Sequence, residues 1–131
     1  MNGATALKQY QQVGVHGAIM DASPHRLIQM LLDGALTRIL AAKGHMKQNN
    51  ISKKGEQIGS AISIIESLKA SLDFEQGGEI SKNLDALYEY IGHVLLKANT
   101  DNNSELLDEA GQLISQIKMG WDAIDPNAAQ R

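Results

Sequence analysis

Residues Ser23–Gln48 read SPHRLIQMLLDGALTRILAAKGHMKQ, and this stretch decides the fold class. A serine followed by proline is a helix start. The hydroxyl accepts a free backbone N–H, and proline's missing N–H costs nothing at the first helical position. From there Ile28, Leu31, Ala35, Ile39, Ala42 and Met46 recur at three- and four-residue spacing, which is one face of a helix. Leu32, Leu36 and Leu40 form a second stripe beside it. A helix apolar over so much of its circumference lies centrally in a bundle. Asn49-Asn50 end it.

Working outward, a second helix spans about residues 52–72, with Ile58, Ile62, Ile65, Leu68 and Leu72 on one face and Ile64 flanking. Gly55 and Gly59, one turn apart, read either as a site of close helix approach or as a loosely wound first turn. Asp73 to Gly78 form the next break, centred on Gly77-Gly78. The third helix is expected over about 79–99, with Ile80, Leu84, Leu87, Ile91, Val94, Leu95 and Ala98 as its stripe. Ser104 is the expected cap of the fourth, which carries Leu106, Ala110, Leu113, Ile117, Trp121 and Ile124 and closes at Pro126. Short connections between helices of this length make neighbours antiparallel. The predicted fold is all-α: an antiparallel up-down four-helix bundle with a short N-terminal arm.

The arm is residues 1–22. Leu7, Tyr10, Val13, Val15, Ile19 and Met20 are apolar, but Gly14 and Gly17 interrupt any helix, so the expectation is an arm that docks on the bundle. Residues 23–125 then form the bundle, and 126–131 a disordered tail.

Composition narrows the function. The 131 residues are 43% apolar, enough for a core, and the length suits one domain. Twelve Lys+Arg against fifteen Asp+Glu give a formal charge of −3, no footprint for nucleic acid. The absence of cysteine excludes a disulfide framework, a thiolate zinc site and a cysteine nucleophile. The densest apolar run, Leu27 to Leu32, is broken by Gln29 and stopped by Asp33, far short of the roughly 18–20 residues of a membrane span. The N-terminus lacks the basic start and apolar centre of a secretory signal, so no membrane insertion and a cytoplasmic location are expected.

Chemistry-bearing motifs are missing. Bundles that hold metals use inward Glu-x-x-His pairs, and none occurs. Glu89/His93 and Asp21/His25 lie at i, i+4, but one pair supplies only two ligands, and a solvated contact accounts for Glu89 and His93. His16 and His45 read as surface residues. No nucleophile elbow, phosphate loop or dinucleotide fingerprint appears. Neither an enzyme nor a cofactor or metal site is expected. What remains is more apolar helix surface than a bundle can use internally, and a large exposed patch marks a partner site. The suited partner is an amphipathic helix or a disordered apolar segment that folds on binding.

These residues resemble a known family, the flagellin-specific export chaperones (FliS). The resemblance rests on ASPHRLIQMLLDGA from Ala22, KGE from Lys54, ISIIE from Ile62, LDFEQGGEI from Leu72, NLDALYEY from Asn83, LLKAN from Leu95 and GWDAI from Gly120, in order and with family spacing. Two departures stand out: many relatives carry two basic residues where Gly92-His93 stand, and often an aromatic at Leu32. The resemblance implies a cytoplasmic, ATP-independent chaperone. It would bind the disordered C-terminal region of flagellin, prevent premature polymerisation and aid delivery to a component of the flagellar export gate. A flagellin groove would then be formed from Leu32, Leu36, Ile62, Ile65, Leu68, Tyr90, Val94 and Leu96, with Leu7 and Tyr10 contributed by the arm. The resemblance also gives the arm the role of a lid or a second docking surface, and a weak homodimer is counted among the partners. A metal-binding bundle and a self-assembling structural protein stay open as alternative readings.

Overall fold

A computed structural model describes residues 22–124. Among them are four α-helices and no strand: α1 (Pro24–Lys47), α2 (Ile51–Ala70), α3 (Phe74–Asp101) and α4 (Ser104–Asp122). Each helix packs on the next, and α4 returns to α1, so the four close a ring around one core. Connections of two or three residues leave no length for a crossover, which makes consecutive helices antiparallel. The all-α up-down bundle is the observed architecture. The arm and the tail lie outside the described residues.

The caps explain where each helix begins. Ser23 Oγ accepts the Arg26 N–H at 3.1 Å, with Pro24 in the first turn as the sequence predicts. Asn50 caps α2 by accepting from the Lys53 N–H at 3.2 Å. Asn103, not Ser104, caps α4: its Oδ1 accepts from Glu105 at 2.9 Å and Leu106 at 3.4 Å. The amide reaches donors one position earlier than the expected hydroxyl, and cap ranking favours Asn at least as much as Ser.

The third helix begins five residues before its predicted start. Asp73 Oδ1 accepts N–H groups from Glu75 and Gln76, both at 3.0 Å, and so nucleates a helical turn that the two glycines conceal in the sequence. Gly78 then breaks the ladder with φ 50° and ψ −124°, a conformation open essentially to glycine alone. Ile80, predicted on the inward stripe, is 70% exposed because it follows directly on this break.

The core follows the apolar spacing. Leu31, Leu32, Ile58, Ile64, Ile65, Leu68, Ile91, Leu95, Leu107 and Ile114 are fully buried. Of the second stripe on α1, Leu32 is inside, Leu36 half-buried and Leu40 68% exposed, so the stripe winds from core to surface. Trp121 sits at the core edge. Its ring stacks on His25 with centroids 4.9 Å apart, and its Nε1–H donates to the His25 carbonyl at 2.9 Å. Gly59 has open space where a Cβ would stand and Gly55 meets only Asn99 at 4.0 Å, so neither glycine marks close helix packing.

Tyr88 is 4% exposed, and burial pushes its phenol up to about 12. The unfolded value is about 10, so this group contributes stability in full below about pH 10 and loses it as pH rises through about 12. Alkaline titration followed by phenolate absorbance should show Tyr88 ionising late and together with loss of helical ellipticity. Tyr88→Phe should flatten the stability loss between pH 10 and 12. Unfolding that is complete below pH 10, or is unchanged in Tyr88→Phe, would contradict this.

Candidate functional site

Helix α1 ends with little cover on its α4 side. Leu36, Ile39 and Leu40 from α1 face Leu107, Gly111 and Ser115 from α4 across a groove of about 610 Å³. Its floor is apolar, because Leu107 is fully buried and Ile39 nearly so, while Leu40 rises as an exposed wall. Gly111 keeps the groove open. A Cβ there would stand 3.9 Å from Ile39 Cγ2, so its absence leaves volume instead of relieving a clash. Lys43 and Asp108 form an ion pair across the seam, with Gln112 and Gln116 along the rim. Beyond the pair a second depression of about 550 Å³ continues between the end of α1 and the start of α4, sharing Lys43 and Asp108. The seam is therefore a track along two antiparallel helices, apolar below and polar at its edges.

Two further seams carry exposed apolar side chains. On the α2–α3 seam, Lys69 pairs with Asp85 at 3.4 Å and Glu89 at 3.1 Å near one end. Lys54 reaches α3 near the other end. These contacts fix which faces meet. Ile62, between Gly55 and Lys69 at seven-residue spacing, and Leu96, between Glu89 and Asn99, belong to those faces. Ile62 is half-buried and Leu96 is 60% exposed. On the α3–α4 seam, Tyr90 is half-exposed and its hydroxyl donates to the Glu109 carboxylate. That bond, with the Glu109 charge beside it, raises the Tyr90 pKa. Lys69 is likewise raised by its bond to Glu89, while Glu89 is lowered by Lys69 and by His93 at 3.2 Å. The Glu89–His93 contact is the solvated i, i+4 pair that its spacing predicts.

The ten residues assigned from sequence to a groove separate by burial. Leu32, Ile65 and Leu68 are inside the core and present no surface to a partner in this arrangement, and Val94 is 7% exposed. Their spacing puts them on the inward face of their helices, which the sequence pattern alone does not distinguish from a broad apolar stripe. Leu36 and Ile62 are half-buried, Tyr90 and Leu96 exposed. Leu7 and Tyr10 lie outside the described residues. Leu40 and Gly111 complete the α1–α4 groove and are not among the ten. The signal for Leu40 is its place at the far end of the second stripe, and no sequence signal singles out Gly111. Lys54 is also missed, although it stands four residues before Ile58 on the apolar face.

Among the described residues no three His, Asp or Glu side chains converge as metal ligands. No described helix is long and apolar enough to cross a membrane.

Residues 6–128 match the family described as flagellar protein FliS. A flagellar secretion chaperone FliSB of Pseudomonas aeruginosa is 49% identical over 124 residues, 95% of this chain and 98% of its own. The flagellar secretion chaperone FliS of Salmonella typhimurium is 44% identical over 130 residues, covering 98% and 96% of the two chains. That of Vibrio cholerae is 42% identical over 121 residues, covering 92% and 89%. The family match embraces the whole described bundle and the relatives align along almost their full length: the chain belongs to the FliS family.

Proposed function

We propose that this protein is a cytoplasmic flagellar export chaperone that binds the disordered C-terminal region of flagellin, keeps it from polymerising early and hands it to the export gate. The names of its relatives support the export role. One observation carries the binding mode: exposed apolar side chains stand on three separate seams, Leu40 on α1–α4, Tyr90 on α3–α4 and Leu96 on α2–α3. A single docked helix covers one seam. An unfolded segment that forms short helices as it passes around the bundle covers all three, and such a segment is what a flagellin monomer exposes before assembly. Nothing in this role needs bond chemistry. The arm, residues 1–22 with Leu7 and Tyr10 as anchors, would act as a lid or a second docking surface.

Tagged flagellin should co-purify with this protein, and flagellin lacking its C-terminal segment should not. Titration calorimetry with the segment should give a negative heat-capacity change, the mark of apolar burial with coupled folding. Raising salt to roughly 0.5 M should weaken binding only a few-fold, because screening acts on charge attraction and spares apolar burial. Equal capture of both flagellin forms would remove the C-terminal region as client. A hundredfold loss with salt would remove the apolar mode.

A further inference from the structure

The turn between α2 and α3 builds a corner that the seams do not use. The Asp73 carbonyl accepts the Gly77 N–H at 2.8 Å and the Ser81 hydroxyl at 2.9 Å, so the first turn of α3 folds back onto the helix that resumes after Gly78. Ser81 is buried beneath it. Pinning residue 73 to residue 81 brings their chain neighbours, Phe74 and Ile80, to the same corner. Both point into solvent, Phe74 at 49% and Ile80 at 70% exposure. Next to them in the chain stand Asp73, Glu75 and Glu79, with Lys82 as the neighbouring cation, while Lys69 at the end of α2 is committed to Asp85 and Glu89. Lys82 approaches Glu79 at 3.6 Å with both side chains largely exposed, a pair that yields easily to a competitor. The corner thus combines two exposed apolar side chains with exposed carboxylates.

We propose that this corner docks a short basic amphipathic segment of another protein, which sets Lys or Arg against Glu75 and Glu79 and an apolar side chain against Phe74 and Ile80. Charge complementarity selects this occupant over the two nearer at hand. Residues 1–21 carry a single lysine, Lys8, and no arginine, and so cannot set a Lys or Arg against both Glu75 and Glu79. A second copy docking by the same patch would set its own Asp73, Glu75 and Glu79 against these, and like charges oppose that pairing. The corner closes the end of the α2–α3 seam away from Leu96 and shares none of the exposed side chains assigned to the client, so its binding is tested apart from flagellin binding.

The test is an NMR titration of the isotope-labelled full chain with an 18-residue Leu/Lys amphipathic peptide, and with its Leu/Glu counterpart. The Leu/Lys peptide should shift amides of residues 72–84, and the Leu/Glu peptide should leave them unmoved. Glu75→Lys with Glu79→Lys should weaken the peptide by about tenfold, as should Phe74→Ser with Ile80→Ser. Glu56→Lys with Glu105→Lys, the same charge change at other exposed positions, should stay within about twofold. All these positions are exposed, so the variants should keep their helical spectrum. Shifts centred on the α1–α4 groove, equal binding of both peptides, or no binding of either would overturn the proposal. So would amides 72–84 that move on dilution without peptide, which makes a second copy the occupant. The same holds if they move in Leu7→Ser with Tyr10→Ser, which makes the arm the occupant.

Discussion

Replacing Lys54 by methionine should cost about 2–3 kcal/mol and lower the melting temperature by roughly 10–20 °C. Lys54 is 3% exposed, a position almost no lysine occupies without a strong reason. Its Nζ donates to the Asn99 carbonyl at 3.1 Å and to Asn102 Oδ1 at 3.0 Å, at the C-terminal end of α3. That end carries the negative pole of the helix and unpaired carbonyls, and the last turn of α3 supplies no basic residue of its own. Lys54 of α2 therefore caps a neighbouring helix and ties the two together. Methionine keeps the stem's packing and removes the charge and both bonds, leaving the half-buried Asn99 carbonyl with only the longer 3.4 Å bond from the Asn102 N–H. Lys53→Met, one residue away and exposed, should change stability by less than about 0.5 kcal/mol. Matching losses in both variants, or neither, would show that the cap does not hold the bundle.

Lys54 also separates what is local in this fold from what is not. The apolar spacing on four segments was enough for helix count, order and antiparallel arrangement, because amphipathicity is a local property and three short connections leave little choice of topology. Trp121 at the core edge was legible for the same reason, lying four residues after Ile117 and three before Ile124. Nothing in the sequence turns Lys54 inward, since a lysine next to Lys53 looks solvated until its neighbouring helix end is known. The start of α3 was obscured by Gly77-Gly78, which signal a break, although Asp73 caps a turn before it. The candidate groove was half legible. Broad stripes announce surplus apolar surface, but which residues face outward depends on how far each stripe winds around its helix. That is why Leu32 went inside and Leu40 outside.

Gly111→Leu should raise stability and abolish most client binding at once. A glycine inside α4 costs about 1 kcal/mol relative to a good helix former. A Cβ at Gly111 would meet only Ile39 Cγ2 at ordinary contact distance, and the open groove beside it leaves room for the rest of a leucine, so the variant should melt a few degrees higher. The added side chain enters the α1–α4 groove and takes the floor between Leu36, Ile39 and Leu107. A flagellin segment that buries one large apolar side chain there loses about 1.5–3 kcal/mol, which is about tenfold to hundredfold in affinity. Gly120→Leu supplies the control: it lies near the exposed end of the same helix with open space around it, gains similar propensity and should bind normally. The opposed signs make the test sharp, since a weakened fold cannot be mistaken for a blocked groove. Full affinity in Gly111→Leu, with the raised melting temperature, would take the client off this groove and leave Tyr90 and Leu96 to carry it.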